Sequence, residues 1–177
     1  MARYIDTNGK RWLNITAMTL FQIRPINKED AVWILNLCNE RWAGPNQVSR
    51  GRVHYVDKHP GFITEQDDKP VGLITYNIDG DQCEITLLNS LVEGKGIGSA
   101  LVNAVKDIAK EAGCKRLWLI TTNDNTAALR FWQKRGFSLV AVHRNALIKS
   151  RELKPEIPLV GNDGIPLLDE IELEVII

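Results

Sequence analysis

The chain has 177 residues, enough for one domain with a sizeable core. Its 44% hydrophobic and 25% charged content is that of an ordinary globular protein, and 22 basic residues balance 22 acidic ones, which argues against a nucleic-acid partner. No apolar run is long enough to span a membrane, no signal core leads the sequence, and Cys38, Cys83 and Cys114 lie far apart without CxxC spacing, so a cytoplasmic protein with reduced thiols, no metal and no membrane partner is expected.

Residues 1–17 are polar and aperiodic and read as an N-terminal extension, non-native or from an upstream start, ahead of a single domain over residues 18–177. The Asn14-Ile15-Thr16 sequon has no meaning in the cytoplasm. Leu20 to Ile26 is strand-like. Asn27 can cap a helix whose apolar positions, Ala31, Ile34, Leu35, Cys38 and Trp42, follow helical spacing until Gly44-Pro45-Asn46 stops it. Residues 43–60 are weakly patterned, carry Arg50, Arg52, His54 and His59, and read as a surface loop or short helix. Three strands then follow, Gly61 to Glu65, Val71 to Ile78 and Cys83 to Leu88, with turns at residues 66–70 and at Asp79-Gly80-Asp81, which predicts an antiparallel meander.

The meander runs into Val92-Glu93-Gly94-Lys95-Gly96-Ile97-Gly98-Ser99. Glycines at alternate positions between a strand and a helix let backbone N–H groups converge, and the helix adds its unpaired first-turn amides and positive dipole end, a combination suited to phosphate or pyrophosphate. A Walker A loop needs GK followed by Ser or Thr, but Gly96 follows Lys95. A dinucleotide loop needs GxGxxG, but Ser99 or Leu101 stands at the last glycine. The plain alternative is a turn that merely joins strand to helix.

Ile97, Leu101, Val105, Ile108 and Ala112, widened by Val102 and Ala109, trace one helical face that Gly113 ends. Leu117 to Ile120 is apolar on both faces, as in a central parallel strand, so loop, helix and strand form one crossover unit. Thr121 to Asn125 is rich in N-cap residues and precedes a helix from Thr126 to Arg135. Phe137 to Val142 is a further strand ending in His143-Arg144. Residues 145–154 are helical. The prolines and glycines of residues 155–168 mark an irregular excursion that reads as a lid or pocket wall. Glu170, Glu172 and Glu174 then alternate with Ile171, Leu173 and Val175 in a half-buried closing strand.

The string EGKGIGSAL resembles the pyrophosphate loop of the GNAT superfamily of acyl-CoA-dependent N-acetyltransferases, with Gly96 and Gly98 on its small-residue positions and Glu93 where the family carries Arg or Gln. The string NTAALRFWQKRGF is similar to the family's second signature: Asn125, Ala128, Lys134, Gly136 and Phe137 match, and Trp132 replaces the usual Tyr. The resemblance implies an α/β (α+β) GNAT fold: a mixed central sheet of about six to seven strands, with an antiparallel N-terminal meander, a parallel crossover pair and helices on both faces. It implies acetyl-CoA as acyl donor and a primary amine of a small molecule or protein as acceptor, attacked directly in a ternary complex. A non-catalytic acyl-CoA sensor is the alternative, and homodimers are common in the family. By the same resemblance, amides of Gly94, Lys95, Gly96, Ile97, Gly98 and Ser99 hold the pyrophosphate. Leu88, Asn89 and Ser90 pair with pantetheine as an added strand would, Asn125 contacts the pantetheine, and Trp132 packs near the thioester. The family's acceptor pockets are built from the variable segments, here residues 43–60 and 145–168.

A protonated amine must lose a proton before it attacks. Glu84 is the first candidate base, since it sits in an apolar stretch of the strand entering the loop; a strand residue facing solvent is the alternative. His143 is the second, because its side chain titrates in the useful range, and Asp169 and Glu170 follow. Indole N–H cannot act as a general acid, so Tyr76, Tyr55 or water would have to serve the departing thiolate in place of Trp132.

Overall fold

The structure is a computed structural model and describes residues 21–177; the extension predicted over residues 1–17, with its sequon, and Leu20 of the first predicted strand lie outside them. Strand β1 (Gln22–Pro25) leads through a 3₁₀ turn at Lys28–Asp30 into helix α1 (Ala31–Trp42), then a hairpin of β2 (Asn46–Ser49) and β3 (Arg52–Tyr55). Strands β4 (Gly61–Gln66), β5 (Lys69–Asp79) and β6 (Gln82–Ser90) form the meander, followed by α2 (Ile97–Glu111), β7 (Arg116–Thr122), α3 (Thr126–Gln133), β8 (Ser138–His143), α4 (Ala146–Leu153) and β9 (Glu170–Ile176). Seven of the strands make one mixed sheet in the order β1-β4-β5-β6-β7-β9-β8, in which only β6 and β7 run parallel. No helix among the described residues is long and apolar enough to cross a membrane.

Asn27 does cap, but its capping box closes on the short 3₁₀ turn. Its side chain accepts from Glu29 N–H at 2.8 Å, and Asp30 accepts from Asn27 N–H at 2.8 Å. Arg24 donates to Asp30 and to Glu65, each at 2.7 Å, tying β1, the turn and β4 together. In α1 the buried stripe is Ile34, Leu37 and Cys38, while Leu35, predicted to face the core, is exposed. Apolar residues occur all around this helix, and its pattern alone does not choose a face.

The sheet separates two cores. On one face α2 and α3 pack Ile97, Leu101, Val105 and Trp132 with Cys83, Ile85, Leu117 and Leu119. On the other, α1 packs Ile34, Leu37 and Cys38 with Val56, Ile63, Leu73 and Leu87. Ile85 and Leu87 are two apart on one strand and would share a face in a regular ladder. A register shift opposite Thr75 and Tyr76 leaves Thr86 as an extra residue and sends the two side chains to opposite cores.

Two sequence expectations change. Residues 46–55 form a hairpin rather than a loop or helix, closed by Arg50 and Gly51, both at positive φ (49° and 72°) as a two-residue turn requires. The closing strand β9 lies between β7 and β8, and Glu170 and Glu172 are as buried as Leu173. Alternation along β9 therefore records two covered faces, one apolar and one carrying paired carboxylates.

Candidate active site

The parallel ladder between β6 and β7 runs from Gln82 opposite Arg116 to Ile85 opposite Leu119, and no pairing follows, although β6 continues to Ser90 and β7 to Thr122. The strands part, and a cavity of about 410 Å³ fills the opening. Gly98, Asn125, Ala128, Phe131 and Trp132 line it from the α2–α3 side, and Trp42, Gln47, Ser49, His54 and Leu147 from the hairpin side. The cavity thus passes through the sheet. Leu87, Leu88 and Ser90 line it from β6, whose edge beyond Ile85 has no strand neighbour toward β7 among the described residues and can accept an extended ligand as a strand would.

The glycine loop reaches this cleft through Gly98; Gly94, Lys95, Gly96, Ile97 and Ser99 do not line it. Gly94 and Gly96 sit at positive φ (71° and 81°), and Gly96 caps α2 with no side-chain cap bond. The amides of Ile97, Gly98 and Ser99 precede the first helical bond, from Ala100 N–H to Gly96 O at 3.0 Å. A Cβ on Gly94 or Gly96 would meet no described residue within 4 Å, so the space beside these two glycines is open; on Gly98 it would come within 3.1 Å of Phe131, so glycine there lets α3 approach α2. Glu93 and Lys95 are exposed, and the Ser90 hydroxyl donates to Val92 O at 2.9 Å, shaping the entry to the loop.

A cation that the sequence did not announce stands beside these amides. The Arg135 guanidinium lies 3.3 Å from the Phe131 ring centroid, donates to Phe131 O at 2.7 Å and reaches the Ser99 hydroxyl at 3.0 and 2.5 Å. Burial lowers its pKa without threatening its charge. The loop and Arg135 meet only through the packing of α2 against α3, which no local motif encodes.

Glu84 lines the cleft from β6 and is 4% exposed, which removes the reading of a strand residue facing solvent. Burial pushes its pKa up to about 7, opposed by the nearby Ser49 hydroxyl, which stops short of hydrogen-bond geometry, and by Arg52 and Arg50. His54, 3% exposed, brings Nε2 within 3.4 Å of the Glu84 carboxylate. Burial, then His59 and Arg52, push His54 down to about 4, so at neutral pH the ring carries no charge and the contact is not an ion pair. Neither Ser49 Oγ nor His54 Nε2 has a hydrogen-bond partner among the described residues, although both atoms are buried. Both residues come from the hairpin, whose alternation of Val48, Val53 and Tyr55 around Arg50-Gly51 was the available signal for it.

The other candidates are dispersed. His143 does not line the cleft; its Nε2 lies 2.8 Å from Glu172, which also takes Arg116. Burial alone would raise Glu172, but His143, Arg116 and Arg50 outweigh it and hold it below the usual carboxylate range. Glu170 does line the cleft, accepting from the Ser150 hydroxyl at 3.0 Å and from Arg50 N–H at 2.9 Å, so it fastens the hairpin turn and α4 to β9. Asp169 accepts from Asn145 N–H outside the cleft. Tyr76 is buried against Phe62 in the α2 core, and Tyr55 is exposed beneath Lys58, so neither reaches the cleft.

Asn125 Oδ1 accepts from Ala128 N–H at 3.0 Å, capping α3, and the residue lines the cleft beside Trp132. Trp132 is also a core residue, edge-on to Phe131 and Phe137. Asn89, on β6, pairs with Leu73 of β5 and does not line the cleft. Residues 155–168, expected as a pocket wall, do not line it either. They brace the turn before α3 instead: Asn162 donates to the buried Asp124 through its amide at 2.8 Å and its side chain at 2.7 Å. Among the described residues no three His, Cys, Asp or Glu side chains are grouped to hold a metal ion.

The family model for the acetyltransferase (GNAT) family matches residues 29–137. The uncharacterized protein YdhI of Bacillus subtilis (strain 168) is 46% identical over 133 residues, covering 75% of this chain and 83% of that protein. Among solved structures, an IAA acetyltransferase from Bacillus cereus ATCC 14579 superposes with a TM-score of 0.69 at 23% identity, covering 89% of this chain and 99% of the other. A GNAT family acetyltransferase from Elizabethkingia anophelis, with acetyl-CoA bound, gives 0.65 at 20% identity and covers 89% and 99%.

Proposed function

The chain belongs to the acetyltransferase (GNAT) family, and from that premise we propose that it moves an acetyl group from acetyl-CoA to the primary amine of a small molecule or protein, by direct attack with both substrates bound. The observation that carries this reading is the cleft through the sheet, with uncapped helix amides at one mouth and a buried carboxylate inside.

The residues present fit an acyl-CoA. Open space over Gly94 and Gly96, uncapped amides at Ile97 to Ser99, and Arg135 beside them suit a diphosphate, and Arg135 supplies the positive charge that Glu93 does not. The unpaired edge at Leu88 to Ser90 suits the amide-bearing pantetheine arm, with Asn125 on the opposite bank. When bound, the donor supplies a thioester carbon whose bond to sulfur breaks as its bond to the amine nitrogen forms, the sulfur leaving as the thiol of CoA.

Glu84 takes the proton from the amine. A carboxylate whose pKa is lifted to about 7 is half ionised near neutrality and is a stronger base than one in water. His54, 3.4 Å from its carboxylate and neutral, does not lock the proton away. The amide of Leu88 is the group we assign to polarise the thioester oxygen. Trp132 shields the reacting end, and since no tyrosine among the described residues lines the cleft, water or Glu84 itself returns a proton to the thiolate. Bound acetyl-CoA in the Elizabethkingia anophelis protein supports the donor, and the free, buried thiols of Cys38, Cys83 and Cys114 support a reducing, cytoplasmic setting. The test is thiol release from acetyl-CoA with a panel of amines; binding of acetyl-CoA with no release on any amine would leave the sensor reading in its place.

A further inference from the structure

A second cavity, of about 450 Å³, lies on the hairpin side of the sheet, and Glu84 and Ser49 line both cavities. Resting on the transferase reading above, we infer that this cavity holds the acceptor and selects an amine that also carries a carboxylate, with Arg50 binding the carboxylate while Glu84 faces the amine.

Arg50 is built for that task. Its guanidinium, half exposed, lies 5.7 Å from the ring centroid of Trp118, another lining residue, within cation–π range. Its nearest carboxylate, Glu172, stands at 3.7 Å, beyond hydrogen-bond reach, and already takes Arg116 and His143. Among the described residues the Arg50 guanidinium makes no hydrogen bond; only its backbone N–H does, to Glu170. A planar cation with unspent N–H edges matches the two oxygens of a carboxylate. Arg52, in the same cavity, is paired at 3.2 Å with Asp79 on the exposed rim and adds positive potential rather than a second fork. The buried Ser49 hydroxyl, without a partner, lies where the two cavities meet and can bond the acceptor between its charged ends. A polyamine without an acid group would set its own positive charges against Arg50 and leave the Arg50 N–H edges without an acceptor.

The experiment uses matched pairs, amino acids and their carboxamides, as acceptors with acetyl-CoA, in the native protein and in Arg50→Gln and Arg50→Lys. A charge-assisted fork is worth about tenfold to a hundredfold. The native enzyme is expected to prefer the acid of its best pair by at least about tenfold in kcat/KM. The preference should vanish in Arg50→Gln and return in part in Arg50→Lys. The amine of a carboxamide is the less basic, so amine protonation biases the comparison against this result. Arg50 also acts on Glu84, but that effect falls on both members of a pair and cancels in the ratio. Equal use of acid and amide by the native enzyme, or a preference that survives Arg50→Gln, overturns the inference. If no amine releases thiol, calorimetry of the CoA-loaded protein decides. Acid binding that Arg50→Gln abolishes keeps the carboxylate site and removes the transferase reading; no binding of either member overturns both.

Discussion

Ile85 and Leu119 are the last paired residues of the parallel ladder, and past them β6 and β7 diverge around the cleft. Thr86, the extra residue on β6, follows Ile85 directly, so the strand changes its facing where it loses its neighbour. One local irregularity both opens the sheet and leaves Glu84 at the fork.

Gly96→Asp is expected to weaken CoA binding by at least about a hundredfold, because a carboxylate would enter the open space beside Gly96, at the start of α2, and repel phosphate. Gly96→Ala separates charge from backbone strain: it pays only the left-handed conformation, about 1 to 2 kcal/mol. Calorimetry with CoA measures both, and equal losses in the two variants would remove the electrostatic part of the claim.

Arg135→Gln is expected to weaken CoA binding about tenfold, with a smaller effect at high salt, since the guanidinium is the cation held at Ser99. Affinity that does not change would mean that Arg135 serves only to brace Phe131.

Burial also makes Glu84 a stability switch. Its folded pKa, about 7, lies above the ordinary carboxylate value, so the stability held in its protonated form is present below the unfolded pKa and is lost as pH rises through about 7. Glu84→Gln removes that dependence and should be the more stable protein at pH 8, by on the order of 2 kcal/mol, with the gap closing toward pH 5. His54 runs the other way, since its depressed pKa costs stability as pH falls from about 6.5 toward 4. Chemical denaturation of both proteins across this range isolates the Glu84 term by difference.

His143→Gln should leave kcat/KM within about threefold of the native value, because the ring serves Glu172 outside the cleft. A loss above a hundredfold would return His143 to the catalytic machinery.

The sequence carried the architecture further than the site. Glycine and Asp-Gly signals marked the meander, the loop and the end of α2 at Gly113, because these depend on local backbone conformation. The two signature strings fall on the expected elements, the loop into α2 and the helix α3, for the same reason. The hairpin was missed: Arg50 supplies a positive φ that glycine or asparagine usually signals, and its strands bury few apolar residues. His54, Ser49 and Arg50 therefore reached Glu84 only in three dimensions. The insertion of β9 between β7 and β8 was equally silent, since strand order is a long-range property, and it turned an apparent amphipathic edge into a buried row of carboxylates.

The most direct test is the pH dependence of amine-driven thiol release from acetyl-CoA by the native protein and by Glu84→Gln. The native kcat/KM should rise with pH through an apparent pKa near 7, and Glu84→Gln should lose that limb and about a hundredfold or more in rate, while binding CoA as tightly as before. A variant that keeps the native rate and the native limb would contradict the assignment of Glu84 as the base.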